Sequence, residues 1–386
     1  MRIKDICSGV TDGSHNPPQG LENSDYLMLS SKNVFDDKIT FDSPRYLSQI
    51  DFEQESKRTR IKSGDVLLTI VGTVGRAAVV GENMPQFTLQ RSVAVLHPNV
   101  EICDSRYLMY ALQANRNHIE SRAKGVAQKG IYLKEVADIE LQIPLLSEQT
   151  HRVKVLDKIA FVIKFHQKQL QKLDELVKAR FVEMFGMPGT DTKGWGLQYL
   201  GTCCELNPKK GTDKRLVSGL SVSFVPMPAV SESGKIDASQ IKAYDEVKTG
   251  FTYFAENDVL FAKITPCMEN GKGAVAVGLC NNIGFGSTEF HILRPINNKS
   301  NPYWLYSLTS FDAFRKDAAD NMTGSAGQRR VPAVFLEKYK VTLPPIELQN
   351  QFAAFVEQTD KSKVAVQKSL DEAQLLFDSL MQQYFG

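Results

Sequence analysis

The sequence contains IELQIPLLSEQ at residues 139–149 and YKVTLPPIELQ at residues 339–349, and the two stretches align without a gap at a spacing of 200 residues. The register holds to the end of the chain, where FG at 185–186 matches FG at 385–386. Self-similarity at a fixed period is the signature of a repeated structural unit. The chain is therefore predicted to consist of two similar halves.

Upstream of these stretches the two halves match more loosely but in the same order. GDVLL at 64–68 resembles NDVLF at 257–261, and YLMYAL at 107–112 resembles YWLYSL at 303–308. Each half is thus a variable globular part followed by a more uniform tail. This divergence predicts that the globular parts recognise different targets.

The two tails are predicted to be long helices that pair with each other. After the Ile143-Pro144 and Leu343-Pro344 steps, apolar positions recur at alternating spacings of three and four, as in a coiled coil. The seam positions are Leu156, Ile159, Ile163, His166, Leu170, Leu173, Val177, Arg180 and Met184, and Val356, Thr359, Lys363, Val366, Leu370, Ala373, Phe377, Leu380 and Tyr384. Because only a short linker follows the first tail, the helices are expected to be antiparallel.

Four polar side chains interrupt the seam, namely His166, Arg180, Thr359 and Lys363. They either fix the helix register and face a partner, or lie at the edge of the seam with their polar ends in solvent. We favour the second interpretation.

The globular parts are expected to be mixed α/β domains, mainly β, each with one helix. The predicted strands are Tyr26–Ser30, Val66–Val71, Ala77–Val80, Ser92–Leu96, Val259–Ile264, Ala274–Val277 and Glu289–Leu293, and the predicted helices span about 106–117 and 302–316. The fold class is therefore α/β (mixed α+β), with two globular domains related by a pseudo-twofold axis and separated by two long antiparallel coiled-coil helices.

Composition limits the function classes. The chain has 386 residues, 42% hydrophobic and 23% charged, which is typical of a soluble protein with two or more domains. It has no apolar run that could span a bilayer and no apolar stretch after the charged amino terminus, so a cytoplasmic protein is expected. The six cysteines form no C-x-x-C pair, and no metal site is predicted.

Polar loops rich in glycine connect the predicted strands. Arginine and glutamine can bind guanine and adenine edges, whereas lysine and serine suit phosphates. A net charge of +2 requires that such basic residues be concentrated locally if DNA is the ligand. The candidate DNA-binding residues are Ser14, His15, Thr73, Arg76, Gln90, Arg91, Lys124, Gln128 and Lys129 in the first half, and Lys263, Thr265, Lys272, Ser287, Thr288, Thr323, Ser325, Gln328, Arg329 and Arg330 in the second.

With these loops, the chain resembles the specificity subunit of Type I restriction-modification systems. The resemblance covers essentially the whole chain. The strongest matches are TPCMENGK at 265–272, GFGSTEF at 284–290 and MTGSAGQRRVP at 322–332. The first-half segment GVAQK at 125–129 departs from the Gly-Ser-Ala-Gln form. The resemblance implies two target recognition domains (1–146 and 195–344), two spacer helices (147–186 and 345–386) and a linker (187–194).

The resemblance also implies the partners and cofactors. They are double-stranded DNA with a two-part target, two methyltransferase subunits and two restriction subunits, with S-adenosylmethionine, ATP and Mg bound by those partners and none by this chain. NPPQ at 16–19 is similar to the N-P-P-aromatic motif of adenine methyltransferases, but Gln19 occupies the aromatic position, so we interpret it as a turn. No P-loop or dinucleotide fingerprint is present, and no catalytic residue is predicted. Two alternatives remain, a coiled-coil scaffold without DNA contact and a methyltransferase-associated recognition subunit of another restriction-modification type.

Overall fold

The structure, a computed structural model, describes residues 1–125, 129–325 and 327–386. Its internal contacts divide it into two units. Unit 1 comprises Met1–Gln167 and Lys368–Gly386, and unit 2 comprises Lys168–Gln367. Each unit therefore contains one globular part together with segments of both tails.

Unit 1 contains nine strands among its described residues and the start of the first long helix. The strands are Cys7–Asp12 (β1), Leu27–Leu29 (β2), Val34–Phe35 (β3), Lys38–Ile39 (β4), Arg45–Tyr46 (β5), Val66–Thr69 (β6), Ala77–Val79 (β7), Phe87–Leu89 (β8) and Val93–Pro98 (β9). The helices are Ile3–Ile6 (α1), Gln49–Thr59 (α2), Ser105–Ala114 (α3), Arg116–Arg122 (α4), Leu133–Ala137 (α5) and Leu146–Phe185 (α6), which continues into unit 2.

Unit 2 has a similar order of elements. Its strands are Leu197–Tyr199 (β10), Cys204–Leu206 (β11), Ser221–Val225 (β12), Ile241–Ala243 (β13), Thr252–Ala255 (β14), Val259–Ala262 (β15), Gly273–Val275 (β16), Ile283–Gly286 (β17), Phe290–Pro295 (β18) and Lys340–Thr342 (β19). Its helices are Tyr244–Val247 (α7), Pro302–Ser310 (α8), Asp312–Asp320 (α9), Ala333–Lys338 (α10) and Ile346–Phe385 (α11), and α11 ends in unit 1. Short 3₁₀ turns lie at Leu200–Thr202, Lys210–Thr212, Met227–Ala229 and Cys280–Asn282.

The main sheets of the two units share one topology. The strand order is β1-β9-β6-β7 in unit 1 and β11-β18-β15-β16 in unit 2, with antiparallel neighbours throughout. Each unit also has a second sheet with one parallel pair, β2 with β8 in the three-stranded sheet of unit 1 and β12 with β17 in the four-stranded sheet of unit 2. Buried aliphatic strand residues such as Val66, Leu68 and Leu96 in unit 1 form the core with the helices. The mixed α/β class, with mainly β globular parts, is confirmed.

The prediction of one helix per globular part was wrong, because each has two helices in succession after the main sheet. In unit 1, α3 ends at Ala114, and Asn115 caps it by donating its side-chain amide to the Ala111 carbonyl. In unit 2, Phe311 adopts extended backbone between α8 and α9, and its ring packs 5.0 Å from that of Phe181. A capping amide and a buried aromatic ring thus interrupt patterns that are continuous in sequence.

The long helices α6 and α11 pack against each other within each unit. In unit 1, Arg152 near the start of α6 donates to the carbonyl of Tyr384 near the end of α11, at 2.6 Å. In unit 2, Phe181 near the end of α6 packs against Phe352 near the start of α11, with ring centroids 5.5 Å apart. The two helices therefore run antiparallel, as predicted.

Two of the four polar seam residues lie inside the seam rather than at its edge, with Thr359 buried and Lys363 partly buried. Lys363, with 18% of its side chain exposed, forms ion pairs with Asp174 at 2.9 Å and Asp360 at 3.0 Å. Thr359 is also buried and donates its hydroxyl to the Phe355 carbonyl. The edge interpretation is therefore wrong for both, because the helix itself or a facing carboxylate satisfies their polar atoms.

A buried glutamine connects each long helix to its globular part. The Gln149 amide donates to the carbonyls of Ile102 and Pro144 and accepts from the Asp104 N–H, at 2.8 to 2.9 Å. Gln349 makes the same three bonds to Lys299, Pro344 and Asn301, at 2.8 to 3.0 Å. Since Asp104 and Asn301 are the N-caps of α3 and α8, Tyr107 is equivalent to Trp304, one residue away from the sequence match.

Candidate nucleic-acid interface

In unit 1, backbone hydrogen bonds bring three of the predicted loops together. The Ile70 N–H donates to the Ser92 carbonyl, and the Ile131 N–H donates to the Ile70 carbonyl, both at 2.9 Å. Lys124 and Gly130 bridge at the base of the next loop, where Gly125 takes a φ of +122°, a conformation that favours glycine. The Gly72 N–H bonds to the Lys129 carbonyl. The segments that begin at 72, 90 and 124 therefore lie side by side.

These loops border a cavity of about 500 Å³ in unit 1. Its lining includes the predicted residues His15, Arg91 and Lys124. It also includes polar residues that the sequence analysis did not select, namely Asp12, Arg58 and Tyr132. The cavity is therefore lined by several hydrogen-bond donors and an exposed aromatic ring, a combination suited to nucleic acid.

Asp12 organises one side of this cavity. Its carboxylate accepts from Arg58 Nη2 at 2.6 Å and bonds to His15 Nε2 at 2.7 Å, and its carbonyl accepts from Arg58 Nε at 3.0 Å. The Asp12 side chain is only 7% exposed, whereas that of Arg58 is 48% exposed. A buried carboxylate thus holds an arginine and a histidine that remain accessible.

The other predicted residues of unit 1 have varied surroundings. Ser14 is buried, and its backbone bridges to Gln90, so the loop uses its main chain rather than its hydroxyl. The Arg76 guanidinium lies 4.9 Å from the centre of the Phe35 ring. Thr73 and Lys129 are exposed. Gln128 lies outside the described residues.

Lys124 has a partner within its own loop region. Its ammonium group bonds to Glu135 at 3.0 Å. The hydrogen bond from Lys124, together with that of the Tyr132 N–H, holds the pKa of Glu135 below its usual value. A phosphate at Lys124 would therefore compete with an existing but exposed ion pair.

Unit 2 has the same backbone arrangement at its predicted loops. The Lys263 N–H donates to the Glu289 carbonyl, and the Val331 N–H donates to the Lys263 carbonyl, at 2.9 and 2.8 Å. Thr323 and Arg330 bridge at the base of the last loop, where Gly324 has a φ of +121°. Gly324 therefore occupies the position of Gly125, and Arg330 that of Gly130.

Three charged side chains cluster on this frame in unit 2. Arg330 donates from Nε and Nη2 to the two oxygens of Glu289, at 2.9 and 2.8 Å. These bonds lower the pKa of Glu289. Burial lowers the pKa of Lys263, and the nearby Arg330 lowers it further, against the attraction of Glu289. The paired Arg330 keeps about two fifths of its side chain exposed.

A second acidic residue lies beside the neighbouring arginine. The Thr265 hydroxyl donates to Glu269 at 2.9 Å, and Arg329 Nη2 lies 3.9 Å from the same oxygen. The other oxygen of Glu269 is buried, with no hydrogen-bond partner among the described residues. Thr265 N–H also bonds to the Arg329 carbonyl, so these residues hold the last loop against the 265–272 segment.

The remaining predicted residues of unit 2 lie on these loops. Thr288, Thr323, Ser325, Gln328 and Arg329 are exposed, and Lys272 and Ser287 are half-buried. Lys272 is directed toward the Met227 carbonyl, at 3.5 Å, and the Ser287 hydroxyl accepts from the Glu289 N–H. The predicted residues of unit 2 thus come from three adjacent loops, as in unit 1.

Asp12 and Arg58 were missed for a definable reason. Arg58 lies on the last turn of α2, and the segment around it has no match in the second half, so the repeat gave no indication of it. The one available signal was KRTR at 57–60, a dense basic run at the end of a helix.

The family model described as the Type I restriction modification DNA specificity domain matches residues 2–175 and 219–373, which together make up most of the chain. The chain belongs to this family. Both units contain a matched region, in agreement with the internal repeat.

Individual relatives in this specificity-domain family include two subunits from Escherichia coli. The chain is 37% identical over 195 residues to the Type I restriction enzyme EcoAI specificity subunit and 36% identical over 196 residues to the EcoEI specificity subunit. Each alignment covers 49% of this chain and 32% of the relative. The matched segment thus spans about a third of the length of these curated relatives.

Solved structures show the same fold at low sequence identity. The S subunit of a Type-I restriction-modification system from M. genitalium has a TM-score of 0.56 at 15% identity, covering 100% of this chain and 95% of that one. A chain solved in work on complex assembly and conformational transition of the type I R-M system has a TM-score of 0.54 at 17% identity, with 99% and 96% covered. These similarities concern the fold alone.

Three further properties of the described residues concern metal binding, membrane spanning and the cysteines. The described residues contain no group of three or more His, Cys, Asp or Glu side chains arranged to hold a metal ion. Among the helices of the described ranges, none is both long and apolar enough to cross a membrane. The six cysteines are free, and burial raises the pKa of Cys103 and of Cys204 to about 12, so both remain thiols.

Proposed function

We propose that this chain is the DNA-recognition subunit of a Type I restriction-modification complex, and that each unit binds one half of a two-part target. The observation that carries the proposal is the shared backbone frame of the two loop surfaces, which presents different side chains in unit 1 and in unit 2. A fixed frame with variable polar side chains is what a family of readers needs to bind different base sequences.

The distribution of charge supports DNA as the ligand despite the small net charge. In unit 1, the side chain of Arg91 lines the cavity without a hydrogen bond or ion pair to any described residue. In unit 2, Arg329 and Gln328 are exposed on the same loop as Arg330. Such donors can contact phosphates and base edges, while partner subunits would supply further phosphate contacts.

The proposed partners include two methyltransferase subunits and two restriction subunits, acting with this chain in the cytoplasm. One feature of α6 supports a docking role in unit 1. Phe161, Val162 and Phe165 are exposed, and the two phenylalanine rings stack with centroids 6.3 Å apart. A contiguous exposed apolar patch on a helix is typical of a protein-binding surface.

The proposed division of labour leaves this chain without a catalytic step. S-adenosylmethionine, ATP and Mg would be bound by the partner subunits, where methyl transfer and DNA translocation would take place. The role of this chain would be to bind DNA and to place the partners on it. A scaffold that never contacts DNA is the alternative, and it gives no role to the exposed donors of the paired loops.

The test is methylome sequencing of the host strain with and without this chain. We expect a methylated two-part motif that is present only when the chain is expressed. The variant Arg330→Ala should lower discrimination at one base position about tenfold, since a bidentate arginine-guanine pair contributes about 1–3 kcal/mol. Arg215→Ala is the matched control, because Arg215 forms the same bidentate pair with Asp213 in unit 2, away from the paired loops.

Two results would argue for the scaffold. The first is a motif that does not change when this chain is removed while its partners remain. The second is a purified complex that binds its motif and a scrambled duplex with equal affinity in a competition assay. An unchanged motif in Arg330→Ala alone would remove that residue from the contact set and leave the subunit assignment in place.

A further inference from the structure

In unit 1, one edge of the Arg58 guanidinium is fully occupied and the other is not. Nε and Nη2 are held by the carbonyl and the carboxylate of Asp12, at 3.0 and 2.6 Å. Nη1 has no hydrogen bond to any described residue, and Nη2 keeps one N–H. Arg58 therefore presents a two-donor fork beside the cavity of about 500 Å³ that it lines.

A guanidinium fork in a fixed orientation matches one base edge. Guanine presents O6 and N7 as adjacent acceptors in the major groove, and arginine bonds to both at once. Because Asp12 already holds the side chain, less rotamer entropy would be lost on binding than for a free arginine. The position of Asp12 therefore favours directional recognition over a general charge contact.

The charge of Asp12 argues against a phosphate at Arg58. A phosphate bonded to the fork would bring its negative charge close to a buried carboxylate that already neutralises the arginine. Arg91 lines the same cavity and has no carboxylate partner among the described residues, so it is the better phosphate ligand. The neutral edge of guanine does not meet this repulsion at Arg58.

We propose that Arg58 reads a guanine in the half-site bound by unit 1, and that Asp12 is a positioning residue that holds it for this contact. The inference rests on the proposed function and adds a specificity-determining residue to it. Unit 2 carries a related arrangement at a different place, because Glu289 holds Nε and Nη2 of Arg330, although Nη1 of Arg330 also donates to the Gln328 carbonyl at 3.0 Å. Each unit thus has an arginine held by a carboxylate on its loop surface.

The test uses the full complex in its host strain, with methylome sequencing of single variants. Arg58→Ala should relax one guanine position of one half-site about tenfold or more and leave the other half-site unchanged. Arg58→Lys should relax the same position, because lysine keeps the charge beside Asp12 but has no fork. Asp12→Asn should relax the same guanine position less than Arg58→Ala does, and the sites that keep this guanine should be methylated less completely than in the wild type.

Two controls separate this role from folding and from phosphate binding. Arg2 is as exposed as Arg58, at 49% against 48%, and it pairs with Asp138 and Glu140 away from the cavity. Arg2→Ala should leave the motif intact. Arg91→Ala should lower methylation at all sites together, without changing the motif, as expected for a phosphate contact.

The contrary outcomes are distinct. A wild-type motif in Arg58→Lys, or a uniform loss at all sites without relaxation of one position, would overturn the inference and leave the proposed function standing. A two-part motif that contains no guanine in either half would do the same. A strain whose methylome does not depend on this chain would overturn both proposals.

Discussion

At the paired loops, unit 2 carries Lys263, Glu289 and Arg330 where unit 1 carries Ile70, Ser92 and Gly130. The backbone bonds at these positions are nearly identical. The N–H of Lys263 or of Ile70 donates to the carbonyl of its neighbour at 2.9 Å in both units. The same frame therefore carries a charged cluster in one unit and small or apolar residues in the other.

This difference shows that the loop positions do not depend on the side chains that the loops carry. Main-chain hydrogen bonds and positive-φ glycines maintain the loop positions, and neither depends on the side chains presented to a ligand. In unit 1, Arg58 near the loops belongs to α2, an element without a counterpart of similar length in unit 2. The loop side chains can therefore differ between the units without loss of the backbone arrangement.

The buried glutamines Gln149 and Gln349, in contrast to the loop side chains, are the same in both units. Their replacement is expected to have the largest effect on stability. Gln149→Leu and Gln349→Leu would each leave two carbonyls and one N–H without partners at the start of a long helix. Each unsatisfied buried group costs about 1–3 kcal/mol, partly offset by the added apolar contact. We expect each variant to lose about 2–4 kcal/mol of unfolding free energy in urea.

The comparison predicts that the two losses are similar, because both glutamines make the same three bonds. Hydrogen exchange should localise each loss to its own unit. Gln171→Leu is the control, since Gln171 is exposed and bonds only to Glu175 one turn along the same helix. A loss in one unit alone would show that the equivalence of the two junctions does not extend to their energetics.

Much of the fold could be predicted because the spacing of apolar residues indicates it and recurs in both halves. The two helices, their antiparallel pairing and seven of the nineteen strands among the described residues follow from periodicity and from the match between halves. The break between α8 and α9 could not be predicted, because it depends on Phe311 packing into a core formed by distant residues. The one-residue offset at Tyr107 and Trp304 likewise emerges only from the bonds of the buried glutamines.

The candidate site could be predicted where glycines mark the loops and not elsewhere. The glycines at 125 and 324 locate equivalent loop positions, and the loops around them do converge. Asp12 and Arg58 are separated by 46 residues, and no local pattern indicates that they pair. The acidic partners of arginines were also missed, since a carboxylate in a DNA-binding surface contradicts simple charge matching.

The next test of the comparison between the units is the pH dependence of stability. His291 in unit 2 is buried, whereas the equivalent strand position in unit 1 is Ala94. Its Nε2 donates to the Val331 carbonyl at 2.8 Å, and its Nδ1 accepts from the Asn207 amide at 3.1 Å, so the neutral ring satisfies both partners. Burial lowers the pKa of His291 in the folded chain.

The direction of the pH dependence of stability follows from the lowered pKa of His291. The unfolded chain binds the proton first as pH falls, since an unperturbed histidine has a pKa of about 6.5. The contribution of His291 is therefore complete above about pH 6.5 and is lost as pH falls through the folded-state pKa. The measurement is the unfolding free energy of His291→Gln relative to the wild type between pH 8 and about pH 5.

The difference in unfolding free energy between the wild type and His291→Gln should shrink as pH falls. The change should be smaller than the loss expected for the Gln149→Leu and Gln349→Leu variants. His118→Gln is the control for the substitution, since it replaces an exposed histidine of unit 1 that takes no part in the hydrogen bonds of His291. A difference for His291→Gln that grows as pH falls would mean that the folded state favours the charged ring, and it would contradict the assigned tautomer.

The smallest expected effect concerns the helix pair, where unit 2 has Lys363 and unit 1 has the buried Ile163. Burial alone would lower the pKa of Lys363, but its bonds with Asp174 and Asp360 more than offset this and raise it. Removing one partner of a fully buried ion pair is strongly destabilising because the other charge is left without a partner, whereas loss of an exposed pair costs about 1 kcal/mol or less. Lys363→Ile should therefore change the unfolding free energy by about 1 kcal/mol or less, because the two carboxylates are half-exposed and can be hydrated.

The salt dependence of stability is a more sensitive test of the Lys363 ion pairs. The stability of the wild type relative to Lys363→Ile should fall as NaCl is raised, because salt screens the attraction of Lys363 to Asp174 and Asp360 in the wild type, whereas the variant keeps only the two carboxylates, which repel each other. Lys172→Ala removes an exposed pair with Glu175 on the same helix and should alter neither stability nor its salt dependence measurably. A loss above about 2 kcal/mol in Lys363→Ile would mean that the ion pair stabilises the helices in unit 2 as apolar packing does in unit 1. The parts of the helix pair in unit 1 and in unit 2 would then be stabilised by different interactions.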